Sequence, residues 1–301
     1  MKVLVVGSLN MDLVVNLKRM PNPGETVLGE TFSTFAGGKG LNQAVATSRA
    51  GAQVRMIGAL GDDPYAKVLR EVMDQEKINH SGVVEVSGSS GTAVIEVDES
   101  GQNRIVVIAG ANGKLKSGNF VPESEEKILL AQLESPINEL EEIFRAAKKS
   151  GYKTVLNPAP AMKLAPTFLA EIDLLIPNEH EAAILTGITV TDFESAEKAA
   201  RALIAQGVAE VIITMAEKGA IYVSSDKVIK QPAYKVSPID TTAAGDAFCG
   251  GLVSELARGK DMESALKFAA AAGGLATTKS GATPSLPTEN EIRSLQKSQG
   301  E

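Results

Sequence analysis

The stretch Asp240-Thr241-Thr242-Ala243-Ala244-Gly245-Asp246-Ala247-Phe248-Cys249-Gly250-Gly251 reads as a turn that runs straight into a helix. Phe248, Leu252 and Leu256 are spaced four apart and share one apolar face, and Gly259 stands where a C-terminal cap belongs. The first turn is built from Ala243, Ala244 and Gly245, which have almost no side chain. Backbone N–H groups at a helix start lack intrahelical partners and sit at the positive end of the helix, a ready site for an anion such as phosphate. Asp246 stands inside the same turn. A carboxylate there is a poor choice for phosphate binding alone, but it suits a site where a group loses a proton as a phosphoryl group arrives. The positive helix end would favour its ionised form at neutral pH. The other reading is an alanine-rich helix packed closely on a neighbour, and this stretch by itself leaves both open.

Working outward, the chain begins with an apolar β-branched run over Lys2–Val6, the pattern of a buried parallel strand. Gly7 ends it, and Asn10 and Asp12 follow. Residues two apart on extended backbone point the same way, so both polar groups can face one ligand, although ordinary turn chemistry also favours them. No G-x-G-x-x-G follows this strand, and no G-x-x-x-x-G-K-[ST] occurs, so neither a dinucleotide fingerprint nor a P-loop is present. Residues 13–17 read as a further strand, Pro21-Asn22-Pro23-Gly24 as a turn, and residues 25–28 as extended again. A hairpin is predicted from 93–97 and 104–108 around the turn at 98–103. Gly37-Gly38-Lys39-Gly40 is a glycine-rich loop leading into a helix over 42–49. Lys39 serves either a ligand or the solvent.

Strands then alternate with helices, and polar clusters stand at the strands' carboxyl ends. Glu134 follows the strand at 128–133, where it faces a ligand or supplies an N-terminal charge to the helix at 137–150. Strands are predicted at 154–156, 174–176 and 210–215, and helices at 264–276 and after Thr288. Asn178 and Glu181 are three apart, hence neighbours on a helix. The alternation predicts an α/β fold with a doubly wound, mainly parallel sheet.

Composition narrows the function. The 301 residues carry a net charge of −7, which argues against nucleic acid as a partner. No apolar run approaches the ~20 residues of a membrane helix. One cysteine, Cys249, rules out an internal disulfide and fits a reducing cytoplasm; its place within a helix predicts a buried, inert thiol. Two histidines, His80 and His180, make a zinc site or a histidine-based triad a poor fit.

The stretch at 240–251 resembles the C-terminal signature of the ribokinase family (PfkB-type) of carbohydrate kinases, and Ala36-Gly37-Gly38-Lys39-Gly40-Leu41-Asn42-Gln43-Ala44 resembles the N-terminal one. Similarity runs from about Val3 to Pro287 and is strongest to the ribose-phosphorylating members. The resemblance implies one α/β domain over 1–301, with a small β-sheet lid formed near 13–33 and 88–109 that pairs two subunits into a homodimer. It implies an ATP-dependent sugar kinase that converts D-ribose to D-ribose 5-phosphate. Fructose, a nucleoside or a keto-deoxy acid are the alternative substrates, and a non-catalytic sugar-binding regulator is the alternative class.

Residue by residue, the resemblance makes Asp246 the catalytic base and Ala243, Ala244 and Gly245 the anion hole. It assigns Asn10, Asp12, Gly38, Lys39, Asn42, Glu134 and Asp246 to the sugar. It assigns Asn178, Thr214, Ala216, Gly219, Gly245 and Ala270 to the nucleotide, and Glu181 to Mg²⁺. A potassium ion is expected among Asp240, Thr242, Ala276, Lys279, Gly281 and Ser285, largely through backbone carbonyls. Two departures from the family pattern are Ala66 and Ala216, which stand where glycine is usual.

Overall fold

Val3, Leu4, Val5 and Val6 are all fully buried, although alternate residues of a strand point to opposite faces. Their strand, β1 (Lys2–Val6), lies in a sheet covered on both sides in the computed structural model, which describes residues 2–300. Val3 and Val5 enter one apolar cluster, and Leu4 and Val6 the other.

The remaining strands are β2 (Asn10–Leu17), β3 (Gly29–Gly37), β4 (Gln53–Leu60), β5 (Asn79–Glu85), β6 (Gly91–Asp98), β7 (Asn103–Ile108), β8 (Glu126–Ala131), β9 (Lys153–Leu156), β10 (Leu174–Leu175), β11 (Glu210–Thr214), β12 (Ala220–Val223) and β13 (Val228–Gln231). The large sheet has nine strands in the order β13-β12-β11-β10-β9-β8-β1-β4-β5, parallel except for the β11-β12-β13 meander at one edge. The chain leaves β1 towards β4 and later returns to β8 on its other side. That reversal opens a crevice at the strands' carboxyl ends, the usual ligand position in such sheets.

The helices are α1 (Lys39–Arg49), α2 (Pro64–Gln75), α3 (Ile137–Lys149), α4 (Pro166–Leu169), α5 (Glu179–Thr186), α6 (Phe193–Ala205), α7 (Ala244–Ala257), α8 (Met262–Ala276) and α9 (Glu289–Ser298). Leu41, Leu69, Leu252, Leu266 and Ile292 pack α1, α2, α7, α8 and α9 on one face of the sheet. Phe144, Phe168, Ala182 and Leu203 pack α3 to α6 on the other. The helix expected from the 240–251 stretch is α7, with Phe248 and Leu252 buried and Gly259 just beyond its end at φ 78°.

A second sheet has the order β3-β2-β6-β7, with β2 and β6 parallel and the outer pairs antiparallel. Its edge strand β7 exposes Ile105, Val106, Val107 and Ile108. Two segments differ from the sequence pattern. Residues 25–28 are not a strand, because Glu25 is drawn back into the turn by Arg19 and by the backbone N–H of Asn22. The partner of β2 is instead β3, which starts at Gly29 and runs directly into the glycine-rich loop. Strand β5 was not anticipated; its polar Asn79, His80 and Ser81 hide the periodicity, and it pairs with β4 at a sheet edge.

Candidate active site

The start of α1 and the start of α7 meet across the mouth of the crevice. Gly38 caps α1 at φ 88°, and a Cβ there would stand 2.9 Å from the backbone nitrogen of Asn10, so only glycine fits. Gly250 lets α7 lie against α1, since an added Cβ would approach the Cβ of Ala46 to 2.5 Å. This close packing brings Asn42 and Gln43 onto Asp246. Asn42 Nδ2 donates to Asp246 Oδ2 at 3.0 Å, and Gln43 Nε2 donates to Asp246 Oδ1 at 2.9 Å. Burial raises the Asp246 carboxyl above its ordinary range, while Lys39 and the two amides pull the other way. The shift runs against the helix end's preference for the ionised form, because desolvation is the largest influence.

A cavity opens beside Asp246, lined by Lys39, Asn178, Glu181, Thr214 and the Ala243–Gly245 turn. Ala243 adopts φ 60° at the cap of α7. The Ala244 N–H points back to the Thr241 carbonyl at a long 3.3 Å. A Cβ on Gly245 would meet nothing within 4 Å, so the space over this turn is open for a ligand. Thr214 is joined to Asn178 by an isolated β-bridge. Asn178 and Glu181 form a reciprocal cap on α5: Asn178 Oδ1 accepts the Glu181 N–H at 2.8 Å, and Glu181 Oε2 accepts the Asn178 N–H at 2.8 Å. Burial raises the Glu181 carboxyl, opposed by the Asn178 N–H and by Lys39. Lys39 is itself disfavoured by burial, but the charges of Asp246, Glu134 and Glu181 outweigh this and raise its pKa.

The cavity does not include every position expected for a nucleotide. Ala216 (φ 45°), Gly219 and Ala270 lie outside its lining. Gly219 turns between β11 and β12 at φ 105°, where a Cβ would sit 2.0 Å from the Gln231 carbonyl oxygen. Cys249 lines the cavity, yet it is buried and burial raises its thiol pKa well above the usual range.

Asn10 and Asp12 lie on β2, and Asn10 packs against Gly38 at the start of α1. Asn112, which the sequence reading missed, holds Asn10: its Nδ2 donates to Asn10 Oδ1 at 2.7 Å, and its Oδ1 accepts the Leu9 N–H at 2.9 Å. Asp12 lies against Gly37 and accepts no hydrogen bond from the described residues; burial and then Glu134 push its pKa to about 7. Glu134 Oε2 accepts from Ser8 Oγ at 2.5 Å and from the Lys39 N–H at 3.1 Å. Glu134 therefore does serve a helix start, that of α1 rather than of the following α3. Asn42 Oδ1 is buried without a partner, an acceptor left for a ligand.

Residues 239–242 and 277–285 form one joined pair of loops. Asp240 Oδ1 accepts from the N–H and hydroxyl of Thr242 at 2.9 and 2.6 Å, and Oδ2 accepts the Gly281 N–H at 2.9 Å. Ser285 Oγ donates to the Ala282 carbonyl, and Ala276 is buried at the end of α8. The Lys279 ammonium turns away to Glu291 at 2.8 Å, so only its backbone faces the loop pair. Among the described residues, no group of three or more His, Cys, Asp or Glu is set to hold a metal.

Three comparisons bear on this geometry. The pfkB family carbohydrate kinase model matches residues 1–289. Over 296 residues, the chain is 43% identical to the ribokinase of Haemophilus influenzae, covering 95% of each sequence. It is also 34% identical to the deoxyribokinase of Salmonella typhi, covering 98% of this chain and 99% of the other. Among solved structures, Arabidopsis thaliana ribokinase complexed with ribose and ATP matches with a TM-score of 0.91 at 32% identity, covering 98% of each chain.

Proposed function

This chain belongs to the pfkB family of carbohydrate kinases, and on that premise we propose that it is a ribokinase, moving the γ-phosphoryl group of ATP to the 5-hydroxyl of D-ribose. The observation that carries this reading is the position of Asp246. It lines the cavity beside the open Ala243–Gly245 turn, with Asn42 bonded to it and holding a spare buried acceptor.

In the proposed reaction, Asp246 accepts the proton of the 5-hydroxyl as the sugar oxygen bonds to the γ-phosphorus. The bond from that phosphorus to the β–γ bridging oxygen breaks, ADP leaves, and the proton rests on Asp246. N–H groups of the Ala243–Gly245 turn stabilise the charge on the transferring group. Lys39 lines the same cavity and adds a positive charge to it. Glu181 suits a magnesium ion: it lines the cavity with one carboxylate oxygen committed to the Asn178 N–H, which leaves the other for a cation, and Asp246 is the one further acid in that lining. Mg²⁺ commonly takes one or two carboxylates and fills its shell with water and phosphate oxygens. When bound, it neutralises phosphate charge.

The potassium site is part of the same proposal. Asp240, the hydroxyls of Thr242 and Ser285, and the carbonyls of 276–285 offer oxygen donors only, as a hard cation requires. We also read the four-stranded sheet as a lid over the sugar and as the contact of a homodimer, since β7 leaves an apolar edge uncovered. A cytoplasmic location is proposed from the single, buried cysteine. Among the described residues no helix is long and apolar enough to cross a membrane.

ADP release measured with D-ribose, 2-deoxyribose, fructose, a nucleoside and a keto-deoxy acid tests the reading. The expected result is the highest kcat/KM for ribose. A higher value for 2-deoxyribose would overturn the assignment in favour of a deoxyribokinase, the activity named for the Salmonella typhi relative. No ADP release with any sugar would favour a binding protein.

A further inference from the structure

Gln43 is fully buried next to Asn42, and its amide has a partner for each of its roles. Its Nε2 donates to Asp246 Oδ1 at 2.9 Å and to Asn157 Oδ1 at 3.0 Å, and its Oε1 accepts from Gln132 Nε2 at 2.6 Å. Asn157 Nδ2 in turn donates to the Ile176 carbonyl at 2.9 Å. A backbone carbonyl can only accept, so it fixes which way the Asn157 amide faces. That leaves Asn157 Oδ1 towards Gln43, and so the Gln43 NH₂ must face Asp246. Reversing the Gln43 amide would set its oxygen against two acceptors, Asp246 Oδ1 and Asn157 Oδ1. Asn157 thus orients Gln43 from the main chain just beyond β10, while Gln132, whose own Oε1 has no partner, bonds the Gln43 oxygen.

Gly7 leaves room for this arrangement, because a Cβ there would come within 2.2 Å of Gln132 Oε1. Gln43 itself does not line the cavity. An aspartate carboxylate rotates broadly about its last torsion. One amide donor on each oxygen removes that freedom, and of the two only Gln43 is committed wholly to the protein. Asn42 keeps its Oδ1 for a ligand.

We propose that Gln43 is a positioning residue for Asp246: it holds the plane of the carboxylate so that the remaining lone pairs meet the reacting hydroxyl, with Asn157 setting its orientation and Gln132 pairing its oxygen. This rests on the reading of Asp246 as the base. The test is a double-mutant cycle of Gln43→Met and Asp246→Asn, with kcat and both KM values measured and folding checked by thermal melting. Gln43→Met should lower kcat about 10- to 100-fold, the scale of a hydrogen bond to a charged group, with much smaller changes in KM. In the Asp246→Asn background, it should lower kcat no further.

An unchanged kcat in Gln43→Met, or the same loss repeated on top of Asp246→Asn, would overturn the proposal. High turnover in Asp246→Asn alone would instead remove the base reading. Should Gln43→Met not fold, Gln132→Met takes its place in the cycle. A smaller kcat loss that vanishes beside Asp246→Asn is then expected, and no loss, or a loss that persists there, overturns the proposal.

Discussion

Asn42 Nδ2 lies 3.0 Å from Asp246 Oδ2 although 204 positions of sequence separate them. This bond joins the first turn of α1 to the first turn of α7. It also separates two groups: Asn42 Oδ1 is buried without a partner, while Asp246 faces the cavity.

Asp246→Asn should lower kcat by roughly 10²–10⁴ and leave sugar affinity much less affected. The substitution retains the shape but not the proton acceptor. Near-normal turnover, measured as ADP release, would remove Asp246 from this role.

Asp12 predicts a pH dependence. Its two oxygens accept nothing from the described residues, and each can accept one hydroxyl of a vicinal pair only while the group is ionised. With its pKa at about 7, the ribose KM should rise as pH falls through that value, while the ATP KM changes little. Asp12→Ala should raise the ribose KM strongly, and 2-deoxyribose, which lacks one hydroxyl of the pair, should be the poorer substrate. An Asp12→Ala ribose KM that shifts no more than the ATP value would leave Asp12 without a sugar role.

The same carboxyl should mark stability. An unperturbed aspartate titrates near ~4, so between that value and about 7 the native state holds a proton that the unfolded chain has lost. Its contribution therefore weakens as pH rises through this window. Asp12→Asn should raise the melting temperature more at pH 8 than at pH 4, and an equal change at both would refute the linkage.

Potassium should raise activity over sodium at constant ionic strength. Bound cation would brace the 239–242 loop, which leads directly into the Ala243–Gly245 donors. Equal rates in both salts, in protein freed of carried-over potassium, would count against the site.

For the lid, light scattering should give about twice 31.5 kDa. Val107→Lys places a charge on the exposed edge strand and should return a monomer. A monomer for the parent at all concentrations would sink the dimer.

Much of this protein is legible without coordinates, because local spacing carries it. The run at Lys2–Val6 marks a buried strand, and Phe248, Leu252 and Gly259 mark α7 and its end. The small residues before Asp246 mark an open turn at a helix start. Tertiary structure alone decided what Glu25 does, since its ion pair with Arg19 turns an expected strand into a clamp. It decided that Glu134 caps α1, and that Asn112 holds Asn10 from 102 positions away. It likewise assembled Gln43, Gln132 and Asn157 behind Asp246. Each of these side chains is ordinary in its own segment. Their hydrogen-bond partners come from distant strands and helices, and only the packed sheet brings donor and acceptor within 3 Å or so. Desolvation is of the same kind: an aspartate's sequence neighbours say little about how much water the fold leaves around it, and that sets the pKa of Asp12 and the direction of the shift at Asp246.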